Sequence, residues 1–234
     1  MNSKRSANSL STYSDANSRN EMNYKYCIFD IDGTIVDTET TGIRSLISTV
    51  RDLMGREMTY EEAYPYFGVP SEKVGGMLGY PDESRFWHEW EERFVALRHL
   101  IVPFGGMLEL IAEVKKNGAV TGFVTSRSRR EMELDPESAV LTRNIDHIVC
   151  AGDTPCSKPA PDPLLRFMEL ASSSGREVRK EDCIYIGDMA SDSLCARSAG
   201  IAFALADWRS RGGRDIPHDF IFSDAAGLRK ILGI

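Results

Sequence analysis

The sequence predicts an α/β fold, a doubly wound parallel sheet that carries a small all-helical unit inserted after its first strand. Short apolar runs alternate with segments of helical periodicity along most of the chain, which is the pattern of strands joined by crossover helices. Few of these runs alternate apolar with polar residues, as expected for strands that are covered on both faces. The segment from about 38 to 102 contains no convincing strand and interrupts this order.

The candidate strands are short apolar runs at about 24–30, 119–124, 146–150, 183–187, 201–205 and 219–222. Between them, apolar side chains at helical spacing begin at Met107, Leu164 and Leu194 and predict three helices. Because parallel strands are joined by right-handed crossovers, the alternation predicts a Rossmann-like core formed by residues 24–37 and 103–234.

The inserted segment has two stretches of helical periodicity. Ile43 and Leu46 belong to the first, and Phe86 and Trp90 belong to the second. Each stretch has one apolar face that must be buried against another element. We therefore expect residues 38–102 to form a separate helical domain.

The first 23 residues differ from the rest of the chain in composition. They are rich in Ser and Asn and almost free of large apolar side chains. Such a segment cannot bury enough apolar surface to offset the entropy lost on ordering. We expect residues 1–23 to be a disordered tail, or the true start to lie at Met22, with a regulatory arm as the alternative.

The overall composition limits the possible partners and the cellular setting. Of the 234 residues, 42% are hydrophobic and 27% are charged, and the net charge is −7, so nothing attracts nucleic acid or anionic lipid globally. No apolar stretch is long enough to span a bilayer. The five cysteines are odd in number and form no Cys-x-x-Cys pair, which favours reduced thiols. We expect a cytoplasmic protein that binds neither nucleic acid nor membrane.

Polar side chains stand at the ends of four predicted strands. Asp30 ends the first strand, Thr125 and Ser126 end the second, Lys158 follows the third, and Asp188 with Asp192 follows the fourth. Because open parallel sheets bind ligands at the carboxyl ends of their strands, we expect these side chains to form one site.

Four segments that contain these residues resemble, in order, the four motifs of the haloacid dehalogenase superfamily. The segments are Asp30–Glu39, Val124–Ser126, Ser157–Pro163 and Gly187–Asp192. The helical insertion after the first motif is similar to the cap domain of the phosphoglycolate phosphatase and β-phosphoglucomutase branch. The resemblance covers residues 24 to 234, and it implies an enzyme that transfers a phosphoryl group.

The resemblance also implies the chemistry of the site. Asp30 is the expected nucleophile that forms an aspartyl-phosphate, and Asp32 protonates the leaving oxygen and then activates water. A negatively charged phosphate repels a carboxylate nucleophile, so a cation is needed between them, and hard oxygen ligands suit Mg²⁺. The implied ligands are Asp30, Asp188, the backbone carbonyl of Asp32, and Asp192, which binds the ion through water or holds Lys158.

The expected phosphate-binding residues are Gly33, Thr125, Ser126 and Lys158. Thr125 donates its hydroxyl group, Ser126 offers a backbone N–H at the head of the following helix, and Lys158 supplies positive charge to the phosphate and to Asp30. Gly33 allows a close approach of the backbone, or satisfies a turn that needs positive φ, or both.

Three arginines follow the second motif, at positions 127, 129 and 130. They could steer anions towards the site. A solvated helix face is the favoured interpretation, because charged runs are usually exposed.

Two features bear on the reaction type. Dehalogenases and phosphonate-cleaving members of the superfamily lack the second aspartate, so Asp32 indicates cleavage of a phosphate ester or anhydride. Mutases of this branch carry a cap histidine twelve residues after the nucleophile, where this chain has Gly42. The expected function is hydrolysis of a small soluble phosphate monoester such as phosphoglycolate or a sugar phosphate. The alternatives are a phosphomutase, a pyrophosphatase and, as the least favoured, a non-enzymatic binding protein.

The candidates for specificity lie in the inserted domain. They are Arg44 on its first helix and a turn that contains Val69, Pro70, Ser71 and Lys73. Turn residues beside a closing domain often contact substrate. We expect the protein to act as a monomer or a homodimer.

Overall fold

A computed structural model describes residues 22–67, 71–134, 138–172, 175, 177–209 and 215–234. It contains one parallel sheet whose strands are β1 (Tyr26–Phe29), β2 (Val120–Ser128), β3 (His147–Ala151), β4 (Cys183–Gly187), β5 (Ala202–Ala206) and β6 (Phe220–Phe222). The strand order is β3-β2-β1-β4-β5-β6, and every neighbouring pair is parallel. The first strand therefore lies in the middle of the sheet, between β2 and β4.

The helices of the described residues are α1 (Glu39–Met54), α2 (Tyr60–Ala63), α3 (Ser71–Met77), α4 (Glu83–Leu97), α5 (Met107–Lys116), α6 (Arg129–Leu134), α7 (Ser138–Leu141), α8 (Asp162–Ser172), α9 (Ala190–Ala199) and α10 (Ala225–Leu232). No helix in the described ranges is long and apolar enough to cross a membrane.

Helices cover both faces of the sheet, as the two-sided apolar strands predicted. Phe29 on β1 packs into a cluster with residues of α5 and α10, whereas its neighbour Ile28 packs into a second cluster with residues of α8 and α9. Successive side chains of a strand point to opposite faces, so one apolar strand contributes to both clusters. The predicted doubly wound α/β fold is confirmed.

The elements α1 to α4 follow β1 and form a helical unit with its own core. Ile43, Leu46 and Val50 of α1 pack against Phe86 and Trp90 of α4. These are the residues whose helical spacing predicted the insertion. No strand occurs in the described part of residues 38–102, so the predicted all-helical insertion after the first strand is confirmed.

The two chain connections to this helical unit run side by side. The backbone N–H of Asp37 donates to the carbonyl of Val102 over 2.9 Å, and Val36 forms a bridge with Pro103. The helical unit is thus joined to the core through two short, paired segments. Such a connection suits a hinge.

The structure differs from the predicted element bounds in two places. Strand β2 continues to Ser128, four residues beyond the predicted end at 124. At the N-terminus, Asn23 donates its backbone N–H to the carbonyl of Leu232, and Met22 packs against the core. The last two residues of the predicted tail, 22 and 23, therefore contact the folded core. The rest of that predicted tail, residues 1–21, lies outside the described residues.

Candidate active site

The candidate site lies at the carboxyl ends of the central strands. Asp30 directly follows β1, Thr125 lies near the end of β2, and Asp188 directly follows β4. Since β2 and β4 are the two neighbours of β1, these three residues meet at one edge of the sheet. The backbone N–H of Asp30 donates to the carbonyl of Ile186 over 2.8 Å, so the pairing of β1 with β4 continues to the candidate nucleophile.

Lys158 connects the acidic residues of this edge. Its Nζ donates to Oδ1 of Asp30 over 2.8 Å, to Oδ1 of Asp192 over 2.7 Å and to the hydroxyl of Tyr185 over 3.2 Å. An ammonium group has three N–H donors, so each has a partner. The side chain of Lys158 is 6% exposed, and that of Asp192 is 1% exposed. Lys158 is thus a fixed, buried cation rather than a solvated loop lysine.

Burial and the nearest opposite charges shift the pKa values of Asp30 and Lys158 in opposite directions. Burial, together with the neighbouring charges of Asp192 and Asp32, raises the pKa of Asp30 to about 7 against the lowering effect of Lys158. Burial alone would lower the pKa of Lys158, but the carboxylates of Asp192 and Asp30 outweigh it and hold the pKa above its ordinary value. Lys158 therefore stays charged, and burial disfavours the ionised form of Asp30 more than Lys158 favours it.

Three carboxylates converge where a cation would be needed. Asp30, Asp188 and Asp192 each offer a carboxylate oxygen, and these oxygens lie within 4.8 Å of one another. Burial raises the pKa of Asp188 well above its ordinary value, and the charges of Asp192 and Asp30 add to this effect. Thr34 donates its hydroxyl to Oδ1 of Asp188 over 2.9 Å. Clustered, mutually repelling oxygen donors fit a hard divalent cation such as Mg²⁺.

Asp192 is already engaged by the protein. Its Oδ1 accepts from Lys158, and its Oδ2 accepts the backbone N–H of Met189 over 3.0 Å. Of the two roles predicted for Asp192, the one that holds Lys158 is therefore visible in the structure. A contact of Asp192 with a metal ion stays a prediction.

Asp32 is not one of these three residues and pairs with Arg127. The guanidinium of Arg127 donates from Nε to Oδ2 of Asp32 over 2.8 Å and from Nη2 to Oδ1 over 2.7 Å. Burial would raise the pKa of Asp32, but Arg127 outweighs it and lowers the pKa below its ordinary value. The side chain of Arg127 is only 13% exposed. The preferred interpretation of this arginine as part of a solvated helix face was wrong, because residue 127 still belongs to β2 and faces the site.

Thr125 and Ser126 lie on β2 but differ in exposure. Thr125 is buried, and its hydroxyl accepts the backbone N–H of Arg127 over 3.1 Å. Ser126 is exposed and does not begin a helix, contrary to the prediction. Its proposed backbone contact with phosphate therefore cannot derive from a helix N-terminus.

The helix begins after Ser128, which forms a capping box with Glu131. The backbone N–H of Glu131 donates to the Ser128 hydroxyl over 3.2 Å, and the backbone N–H of Ser128 donates to the Glu131 carboxylate over 2.6 Å. The spacing Ser-x-x-Glu is the sequence signature of this motif. It was present in the sequence and would have placed the start of the helix correctly.

Gly33 meets two requirements at once. Its φ is +77°, and a Cβ at this position would lie 2.3 Å from Oδ2 of Asp188. The turn after β1 therefore needs a glycine both for its left-handed backbone and for the space that the Asp188 carboxylate occupies.

We expect Gly33→Ala to lower kcat/KM by about 100-fold or more, because the added methyl group displaces the Asp188 carboxylate from the cluster. Phosphate release measures the loss of kcat/KM, and calorimetric titration with Mg²⁺ measures how far the displaced carboxylate weakens binding of the ion. Gly55→Ala is the matched control, since Gly55 also has positive φ, at +66°, but an added Cβ there would have no other atom within 4 Å. If both variants lose activity equally, backbone strain and not the displaced carboxylate is responsible.

Two residues of the site had no role in the sequence prediction. Thr34 binds Asp188, and the buried hydroxyl of Tyr185 lies 2.9 Å from the carbonyl of Val124 and 3.1 Å from Oδ1 of Asp192. Burial raises the pKa of Tyr185 well above its ordinary value, so it stays protonated and donates. A tyrosine in a buried strand needs a partner for its hydroxyl group, which is the signal that could have identified it.

The predicted specificity residues are not joined to this cluster. Arg44 is exposed on α1, and Ser71 and Lys73 lie on α3. Within the ranges that the structure describes, no hydrogen bond or ion pair links these three to the strand-end residues. Val69 and Pro70 lie outside the described residues.

Comparisons with known proteins identify the family of this chain. A family model described as haloacid dehalogenase-like hydrolase matches residues 27–206. A protein of Caldanaerobacter subterraneus subsp. tengcongensis that is assigned as pyrophosphatase PpaX is 32% identical over 191 residues, which cover 77% of this chain and 80% of that protein. Pyrophosphatase PpaX of Bacillus cereus is 25% identical over 199 residues, which cover 82% of this chain and 87% of the relative.

Solved structures share the fold. A protein of Lactobacillus plantarum that is assigned as a phosphoglycolate phosphatase superposes with a TM-score of 0.76 at 24% identity, covering 90% of this chain and 100% of that one. CbbY from Rhodobacter sphaeroides superposes with a TM-score of 0.69 at 21% identity, covering 90% of this chain and 100% of that one. At these identities the structures establish a common fold.

Proposed function

Because this chain belongs to the haloacid dehalogenase-like hydrolase family and is a phosphoric ester hydrolase, we propose that it hydrolyses a small phosphate compound with Mg²⁺ through a phosphorylated Asp30. The observation that carries this proposal is the buried arrangement of Asp30, Lys158 and Asp188. It combines a carboxylate nucleophile, a fixed cation and further oxygen donors at the ligand-binding edge of the sheet. This combination is suited to attack on a phosphoryl group.

The protein's own residues account for most of the steps. A carboxylate oxygen of Asp30 forms a bond to phosphorus while the bond from phosphorus to the leaving oxygen breaks. Lys158 orients Asp30 and places positive charge beside the phosphoryl oxygens, and Thr125 donates its hydroxyl to one of them. Asp32 separates from Arg127, which otherwise holds it ionised, gives a proton to the leaving oxygen and then takes one from the water that cleaves the Asp30 phosphoester.

The divalent ion would be held by Asp30, Asp188 and the backbone carbonyl of Asp32, with Asp192 beside it. When bound, it neutralises the charge that would otherwise keep the phosphate away from Asp30. The raised pKa of Asp188, caused by burial and by its acidic neighbours, supports this assignment because a cation would relieve the same repulsion.

A phosphomutase is less well supported than a hydrolase. Gly42 stands where mutases of this branch carry a histidine, and a Cβ at Gly42 would lie 3.3 Å from the ring of Phe67. The carbonyl of Gly42 also accepts the indole N–H of Trp90 over 3.3 Å. Packing within the helical unit therefore fills the space beside Gly42. Without a histidine there, water is the natural acceptor of the phosphoryl group.

Pyrophosphate hydrolysis is the second candidate. The observation that favours it is the 32% identical relative that is assigned as a pyrophosphatase. The same active-site residues can cleave an anhydride, because Asp30 attacks phosphorus in either case. The substrate thus depends on the groups around the leaving oxygen.

A panel of phosphate compounds tests the proposal. Phosphate release from phosphoglycolate, sugar phosphates and pyrophosphate is measured with Mg²⁺, after chelation with EDTA, and after Mg²⁺ is restored. We expect at least one compound to be hydrolysed, with a loss of about 100-fold or more on chelation that is fully reversed by Mg²⁺. Interconversion of sugar phosphates without phosphate release would support the mutase instead. No turnover of any compound would contradict the proposed function.

A further inference from the structure

Arg127 is a second, partly buried cation of the site, and it has other partners than Lys158. Lys158 uses its three N–H donors on Asp30, Asp192 and Tyr185, so it serves the nucleophile. Arg127 instead binds both carboxylate oxygens of Asp32. Under the proposed function, Asp32 is the residue that faces the leaving oxygen. The guanidinium therefore lies on the side from which the leaving group departs.

The pair of Arg127 and Asp32 has a geometry that a substrate can reproduce. A guanidinium presents parallel N–H groups that match two oxygens of a carboxylate or of a phosphate equally well. A leaving phosphate can take the place that the Asp32 carboxylate occupies on Arg127. The same exchange would release Asp32 to turn towards the bridging oxygen. The hydroxyl groups of a neutral alcohol such as glycerol carry no negative charge and cannot replace a carboxylate in this way.

We propose that Arg127 binds the leaving group as an oxyanion and thereby gives the enzyme its preference for a phosphoanhydride over a phosphate ester whose leaving group is a neutral alcohol. This inference rests on the proposed hydrolysis through Asp30. The bond from Asp30 to phosphorus forms, the bond from that phosphorus to the bridging oxygen breaks, and the electron pair stays on the bridging oxygen. With pyrophosphate the departing group is a phosphate whose negative charge Arg127 neutralises, whereas an alkoxide needs a proton more than a cation.

The test compares two substrates in two arginine variants of the full chain. Steady-state kcat/KM is measured with Mg²⁺ for pyrophosphate and for glycerol 2-phosphate. We expect Arg127→Gln to lower the value for pyrophosphate by about 100-fold and that for glycerol 2-phosphate by less than about 5-fold. Arg130→Gln is the matched control, because Arg130 is exposed on α6 and the substitution removes the same charge. We expect the control to change neither value by more than about 2-fold.

A binding measurement tests whether Arg127 contacts the leaving group itself or acts only by positioning Asp32. Methylenediphosphonate has the two phosphoryl groups of pyrophosphate but resists hydrolysis, and calorimetry gives its Kd beside that of orthophosphate. We expect Arg127→Gln to weaken the binding of methylenediphosphonate about 30-fold and the binding of orthophosphate less than about 3-fold. Arg127→Lys should recover part of the lost affinity for methylenediphosphonate.

The outcomes distinguish the inference from the proposed function. Equal losses for pyrophosphate and glycerol 2-phosphate, or unchanged binding of methylenediphosphonate, would show that Arg127 only positions Asp32 and would overturn the inference while hydrolysis persists. Absence of turnover by the wild-type protein with every substrate would overturn the proposed function and, with it, the inference.

Discussion

We expect Asp30→Asn to lower hydrolysis of every phosphate substrate by at least about 10⁴-fold, because an amide oxygen cannot act as the nucleophile. The substitution preserves shape, and the new side chain can still accept the hydrogen bond from Lys158. Phosphate release in single-turnover and steady-state assays measures the loss. Asp182→Asn is the matched control, since Asp182 lies beside the opposite, amino-terminal end of β4. Turnover retained within about 10-fold in Asp30→Asn would contradict the assignment of the nucleophile.

The same variant should be at least as stable as the wild type at neutral pH. Burial raises the pKa of Asp30 to about 7, above the ordinary value near 3.9. A raised folded-state pKa means that the stability associated with the protonated form is present at low pH and is lost as the pH rises towards 7. Asparagine cannot ionise, so the advantage of the variant should grow from pH 4 to pH 8. Denaturant unfolding with EDTA present measures this trend, and a fall in relative stability would contradict it.

The second large effect is expected for Lys158→Met. This substitution leaves the buried carboxylates of Asp30 and Asp192 without their cation. Removing one partner of a buried ion pair costs about 3–5 kcal/mol of unfolding free energy, and loss of a charge at the phosphate lowers kcat/KM by about 10²–10⁴-fold. Denaturant unfolding at pH 7.5 and phosphate release measure the two effects.

Two further variants test whether the losses in Lys158→Met come from its buried position and its hydrogen bonds. Lys25→Met removes the same charge from a surface ion pair with Asp182, where Lys25 is 67% exposed, and it should cost no more than about 1 kcal/mol. Lys158→Arg keeps the charge but not the three-way hydrogen bonding of an ammonium group, so it should fold better than Lys158→Met and regain only part of the activity. If Lys158→Met behaves like Lys25→Met, the buried cation is not required.

The location of the site could be predicted from local patterns. Asp30 and Asp188 each follow an apolar strand, and strand–helix alternation implies that parallel strands end at one edge. The structure brings these residues together with Lys158 and Asp192. Their proximity could be predicted because chain order and strand direction determine which strand ends meet, without any knowledge of individual contacts.

The second motif shows where local patterns failed. The apolar run that predicted β2 ends at Val124, but pairing of Ser128 with Ala151 on β3 extends the strand. Pairing with a neighbouring strand is a non-local effect, so the hydrophobic pattern could not reveal it. The capping box at Ser128 was the one local signal that marked the true start of the helix.

The sequence by itself determined the fold class, the helical insertion and the set of polar residues at the carboxyl edge of the sheet, since periodicity and chain order are local properties. Only the tertiary structure decided which charges pair. Arg127 and Asp32 are 95 positions apart, and Lys158 and Asp30 are 128 positions apart. An ion pair depends on distance in space and on burial, which strengthens it by excluding water. That is why Asp30 could be named as the candidate nucleophile from its motif, whereas the pairing of Arg127 with Asp32 could not be predicted.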